Sequence, residues 1–148
     1  MKLGIKLPVV YHAIEHKDDN FPYYILAAGE HAGVRFYVCN SNGMYPTAYL
    51  RVPKGKYLWG QPYDYAGDFL LVHGGITYGS DQLVGVENDD DSWFFGWDYG
   101  HEGDFAGYYL RDPADYLATH SKKWTIDEIV KECCNACEAL AELWRVNG

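Results

Sequence analysis

His73, Asp98, His101 and Asp104 are the residues of this chain whose types and spacing could do chemistry. The segment Asp98-Tyr99-Gly100-His101-Glu102-Gly103-Asp104 sets potential ligands three residues apart, and its glycines argue for a loop whose side chains can converge. His73 stands where an apolar run ends in Gly74-Gly75. Together the four supply two imidazoles and two carboxylates, donors suited to Zn, Mn or Fe. The same groups could be catalytic without metal, one histidine moving a proton while a carboxylate fixes its tautomer. They could equally form a structural or ligand-binding hydrogen-bond network. The spacing matches no metalloprotease, deaminase or zinc-finger signature, so all three uses stay open.

Around these four lie candidates for holding a ligand. Gly74 and Gly75 lack a β-carbon and would let a ligand approach the backbone. Thr77, Tyr78, Trp97 and Tyr99 offer hydroxyls and aromatic surface. Arg51, with Arg35 and Arg111, is a candidate for pairing with a small phosphorylated ligand. Neither GxGxxG nor GxxxxGK[ST] occurs, which removes the common nucleotide fingerprints. Asp89-Asp90-Asp91 lacks the spaced oxygens of an EF-hand and reads as a solvated turn. His12, His16 and His120 read as surface groups, and His31 as part of a turn.

These side chains need a scaffold, and the chain is long enough to build one. Its 148 residues, 48% of them hydrophobic, fit a single domain over 1–148 with a real core. Aromatic residues make up 17%, including 14 Tyr and 5 Trp, an excess that suits pockets and interfaces. With 12 basic residues against 21 acidic ones, the net charge of -9 disfavours general nucleic-acid binding. The start of the chain has no signal-peptide core and no apolar run is long enough to span a membrane, so a cytoplasmic protein is expected.

The last segment carries the strongest pattern. Thr125 and Glu128 form a capping box after Trp124, and Ile126, Ile129, Val130, Cys133, Cys137, Leu140, Ala141 and Trp144 recur at helical steps. Glu128, Glu132, Glu138 and Glu142 are expected to be mostly solvated. Cys134 and Cys137 make a CxxC within that helix, with no second pair to complete a zinc site, and read with Cys133 as buried thiols. A shorter helix is expected near Asp112, with Pro113 at its first position. Strands are expected over 21–28 and 34–40 around a turn at 29–33, and over 48–52. Residues 60–68 read as an aromatic loop. Residues 69–78, taken as one strand, would be central, and 93–98 alternate as a second buried strand. The class is α+β, a mainly antiparallel or mixed sheet covered by the C-terminal amphipathic helix and a short preceding helix.

Three blocks in order carry a resemblance. Tyr49-Leu50-Arg51-Val52-Pro53-Lys54-Gly55 with Leu58-Trp59-Gly60, then His73-Gly74-Gly75-Ile76-Thr77-Tyr78, then Trp93-Phe94-Phe95-Gly96-Trp97-Asp98 with His101-Glu102-Gly103-Asp104, resemble a group of small uncharacterised proteins of tailed phages and prophages. The similarity covers roughly residues 45–110. Members of that group often carry cysteine where Tyr99 stands here, which weighs against thiol chemistry or a cysteine ligand. The resemblance implies a phage accessory context and no settled activity.

Three functions follow as expectations. One is a binder of a small polar, nucleotide-like ligand in an aromatic pocket lined by Gly, His and Asp. The second is a hydrolase or phosphoesterase using His73, Asp98, His101 and Asp104, with or without metal. The third is a structural or interaction module, with a homodimer formed through exposed aromatics.

Overall fold

The computed structural model describes residues 14–16, 23–41, 45–101, 103–104, 122 and 124–147. Six strands, β1 (Ile14–His16), β2 (Tyr23–His31), β3 (Val34–Ser41), β4 (Tyr45–Val52), β5 (Tyr78–Ser80) and β6 (Trp93–Asp98), form one sheet in the order β1-β2-β3-β4-β6-β5. Every neighbouring pair is antiparallel. A five-residue helix α1 (Tyr63–Gly67) precedes β5, and the long helix α2 (Ile126–Asn147) closes the chain. The fold is α+β, as the order of patterns implied.

Period-two alternation assigns the faces. Phe36 and Val38 of β3, Ala48, Leu50 and Val52 of β4, and Phe95 and Trp97 of β6 are fully or almost fully buried in one cluster with Ile129, Val130, Cys133, Cys137 and Leu140 of α2. Each large apolar side chain so enclosed contributes about 1.5–3 kcal/mol relative to exposure. The alternate residues Tyr37, Tyr49, Arg51 and Phe94 belong to the opposite face. The capping box forms: Glu128 N–H donates to Thr125 Oγ1 at 3.1 Å and Thr125 N–H to Glu128 Oε1 at 3.0 Å. All four cysteines are buried and none is in a disulfide.

Several expectations change. The β2–β3 turn is only Ala32-Gly33, with φ of 53° and 80°, the pattern of a type I′ hairpin. His31 therefore ends a strand rather than lying in a turn, and its buried ring meets Glu138 at 2.7 Å. Residues 63–67 of the expected aromatic loop are α1. The expected strand over 69–78 is irregular until Tyr78, and the short β5 that follows is the last strand of the sheet rather than a central one. Consecutive positive φ values at Gly74 (71°) and Gly75 (81°) are incompatible with a straight strand there. The short helix expected near Asp112 lies outside the described residues.

Candidate functional site

The loop before β5 lies along the end of β6, and Thr77 N–H donates to Gly96 O at 2.9 Å. Upstream, Gly75 N–H donates to Val72 O at 3.0 Å, closing a turn whose third residue, Gly74, has positive φ as glycine permits. A β-carbon on Gly74 would lie 2.2 Å from His101 Nε2. The expected role of Gly74 and Gly75 in admitting a ligand is thus corrected at Gly74, because the His101 ring fills that space. No atom lies within 4 Å of a β-carbon built on Gly75.

His73 and Asp104 meet here, with Nε2 2.8 Å from Oδ2. Asp104 Oδ2 also accepts from His101 N–H at 3.0 Å, and Oδ1 accepts from Trp124 Nε1–H at 2.9 Å. Burial alone would raise the Asp104 carboxyl, yet the bonds from His73, Trp124 and the His101 backbone hold it below the ordinary aspartate range. An ionised Asp104 can only accept, so His73 Nε2 carries the hydrogen and Nδ1 is the nitrogen outside that contact. The His73 ring stacks on Tyr99, centroids 5.0 Å apart and 3° from parallel, and its centroid is 5.8 Å from that of His101.

Asp98 organises the second pair. Its Oδ1 accepts from Gly100 N–H at 3.0 Å and lies 3.3 Å from His101 Nε2. That imidazole contact has ion-pair distance without hydrogen-bond alignment, and Nε2 is buried with no hydrogen-bond partner. Asp98 Oδ2 makes a long 3.5 Å contact with Thr77 Oγ1.

The four residues named from sequence therefore come together, though not as one ligand set. Among the described residues no group of three or more His, Cys, Asp or Glu side chains is arranged to hold a metal ion. The physical reason is that Asp104 directs its oxygens at N–H donors, His73 Nε2 faces that carboxylate, and His101 Nε2 is shut against Gly74. The expected metal set of His73, Asp98, His101 and Asp104 is corrected to two histidine–carboxylate pairs.

Glu132 of α2 was not legible as a site residue, and its expected solvation is overturned. Its Oε1 accepts from Trp97 Nε1–H at 3.1 Å, from the Tyr99 hydroxyl, and from His73 N–H at 3.3 Å. Burial first, and the bond to Glu132 second, raise the Tyr99 phenol far above its ordinary range. Tyr99, expected to contact a ligand, is a core residue 0% exposed; Trp97 is 1% exposed in the same core and also borders the cleft described below. The signal for Glu132 was its place three residues after Ile129 and four before Ala136, both buried.

No family model, curated protein or solved structure matches the chain. No helix among the described residues is long and apolar enough to cross a membrane.

Asp98 also faces a cleft of ≈ 190 Å³ on the far side of the sheet. Tyr45, Tyr49 and Tyr78 wall it, Thr47 and Thr77 add hydroxyls, and buried Trp97 contributes to the floor. The tyrosines fit because of glycines: a β-carbon on Gly96 would meet Tyr49 Cδ1 at 2.4 Å, and one on Gly100 would meet Tyr45 at 2.8 Å. The cleft thus brings together Thr77 and Tyr78, named from sequence as ligand-binding residues, and Asp98, named with the catalytic set, whereas Tyr45, Thr47 and Tyr49 were not named.

Arg51 does not join them. It pairs with Phe94 in the ladder, four residues before Asp98 on β6. Its guanidinium donates to Ser92 Oγ (3.0 Å), Tyr37 Oη (3.1 Å), Glu87 O (3.1 Å) and Asp90 Oδ1 (2.7 Å). The expected ligand role of Arg51 is corrected to a structural clamp. Asp90 stays exposed in its turn, as expected, while Arg51 and Ser92 lower its carboxyl to about 2.

Proposed function

We propose that this chain binds a small polar ligand in the tyrosine-walled cleft at Asp98, within a phage or prophage accessory role. The observation carrying the proposal is the convergence of Tyr45, Tyr49, Tyr78, Thr77 and Asp98 on one concavity. Tyrosine rings offer flat apolar faces, and Asp98 and the threonine hydroxyls fix orientation through hydrogen bonds. The cleft is smaller than the roughly 300–1,000 Å³ of a typical drug-sized site, so it suits a planar base or one sugar ring better than an entire nucleotide. Its described lining has a carboxylate and no cation, which favours ligand amino or hydroxyl donors over a phosphate. The order of sequence blocks supports the phage context.

A second reading rests on a different observation, the two neighbouring imidazoles each beside its own carboxylate. His73, oriented through Nε2 by Asp104, has the support a general base needs, and water would be the nucleophile in a His/Asp-dependent hydrolase or phosphoesterase.

Incubation with a cell metabolite extract, followed by mass spectrometry of retained and converted compounds, separates the two. Binding predicts an unchanged retained compound that is lost from Asp98→Asn. Conversion abolished by His73→Ala in a folded protein establishes the enzyme instead. Retention indifferent to Asp98→Asn and to Tyr49→Phe would refute the binding assignment.

A further inference from the structure

At the opposite end of β6 from Asp98, beside Trp93, lies a separate cleft of ≈ 560 Å³. This volume is within the roughly 300–1,000 Å³ of small-molecule sites. Trp59 and Trp93 form its aromatic part, centroids 6.4 Å apart in an edge-to-face arrangement. The Trp59 indole is pinned by donation from Nε1 to Asp91 O at 2.7 Å. Asn88 fixes the wall: its Nδ2 donates to Asp81 O at 2.8 Å and Ser92 O at 2.9 Å, while Oδ1 accepts from Ser92 N–H at 2.7 Å. The frame is therefore preorganised by bonds that use the backbone.

The remaining polar groups are uncommitted. Asp81, Gln82 and Asp91 are exposed, and among the described residues their side chains have no hydrogen-bond or ion-pair partner. Trp93 Nε1–H is buried and has no acceptor, a costly state for an indole donor. We propose that this cleft binds a neutral polyhydroxylated ligand, a mono- or disaccharide, against Trp59 and Trp93. Sugar rings present C–H faces to indoles, and their hydroxyls donate to Asp81, Asp91 and the Gln82 carbonyl and accept from the Gln82 amide N–H. A cationic ligand is disfavoured because Lys54 Nζ already lies 5.7 Å from the Trp59 ring centroid. An anion would face two carboxylates.

The test follows the indole N–H resonances of 15N-labelled protein during titration with maltose, cellobiose and N,N′-diacetylchitobiose, with choline and inorganic phosphate as charged comparisons. Trp59→Phe and Trp93→Phe assign the two signals. A saturable shift of both with at least one sugar is expected, weakened roughly tenfold or more by Asp81→Ala and unchanged by Asp98→Asn. Asp81 is exposed, so its replacement keeps the measurement readable where an indole replacement unfolds the chain. Absence of any sugar-dependent shift at millimolar concentration overturns the proposal, as does a response to choline or phosphate alone, or one indifferent to Asp81→Ala.

Discussion

Asp104 shows how one buried carboxylate sets the chemistry of its neighbours. Three N–H groups point at it, so Asp104→Asn turns an amide donor toward at least one of them and should cost about 2–3 kcal/mol in chemical denaturation. The folded carboxyl titrates below its ordinary value. Its contribution to stability is therefore complete above about pH 4 and disappears as pH falls through the depressed folded value. Denaturation against pH should show a shallower acid limb in Asp104→Asn than in the parent protein. Gly74 gives a paired experiment. Gly74→Ala and Gly75→Ala both impose a left-handed alanine, costing about 1–2 kcal/mol, while only the first drives a methyl into His101. The His101 imidazole resonances should move in Gly74→Ala and stay in place in Gly75→Ala. His73 and Asp98 were legible because each follows an apolar run, and His101 and Asp104 because they recur at three-residue steps after Asp98 in a glycine-punctuated segment. Their pairing was not, since it depends on which lone pairs Asp104 has left after binding Trp124 and a backbone amide.

Between elements, the decisive contact is Glu132, which joins α2 to the end of β6 and to the His73 loop through one oxygen. Glu132→Ala removes the acceptor shared by three donors, of which Trp97 Nε1–H alone keeps a second one, the Tyr99 hydroxyl at 3.1 Å, and should lower stability by about 2–4 kcal/mol. Thr125→Ala, which removes only the cap of the same helix, should lower it by about 1 kcal/mol. Thermal denaturation that ranks the cap above Glu132 would show the bridge to be dispensable. The helix itself was readable from its 3.6-residue rhythm and capping box, and β6 from its alternation. The stretch from Phe69 to Thr77 misled because its apolar residues satisfy period two while Gly74 and Gly75 take backbone angles that no strand allows. Helix α1 was hidden because its five residues are too few to reveal a periodicity.

For the whole molecule, a sheet with α2 on one face explains the three helix cysteines, Cys133, Cys134 and Cys137. Burial raises the thiols of Cys133 and Cys137 well above their ordinary range, and all four cysteines are enclosed. A thiol reagent should therefore label the native protein slowly and react with all 4 groups after unfolding. Rapid native labelling of the CxxC would restore a redox reading of Cys134 and Cys137. Charge belongs to the same scale: at -9 the chain should show no retention on immobilised DNA at physiological ionic strength.

The hairpin between β2 and β3 holds an alanine where the backbone asks for something else. Ala32 has φ of 53° and is exposed, so its methyl brings strain without any enclosed contact in return. Asparagine there would create the Asn-Gly dipeptide most compatible with such a corner. A sturdier variant for the ligand searches is thus one exposed substitution away, at a corner distant in sequence from both clefts' lining residues on β6.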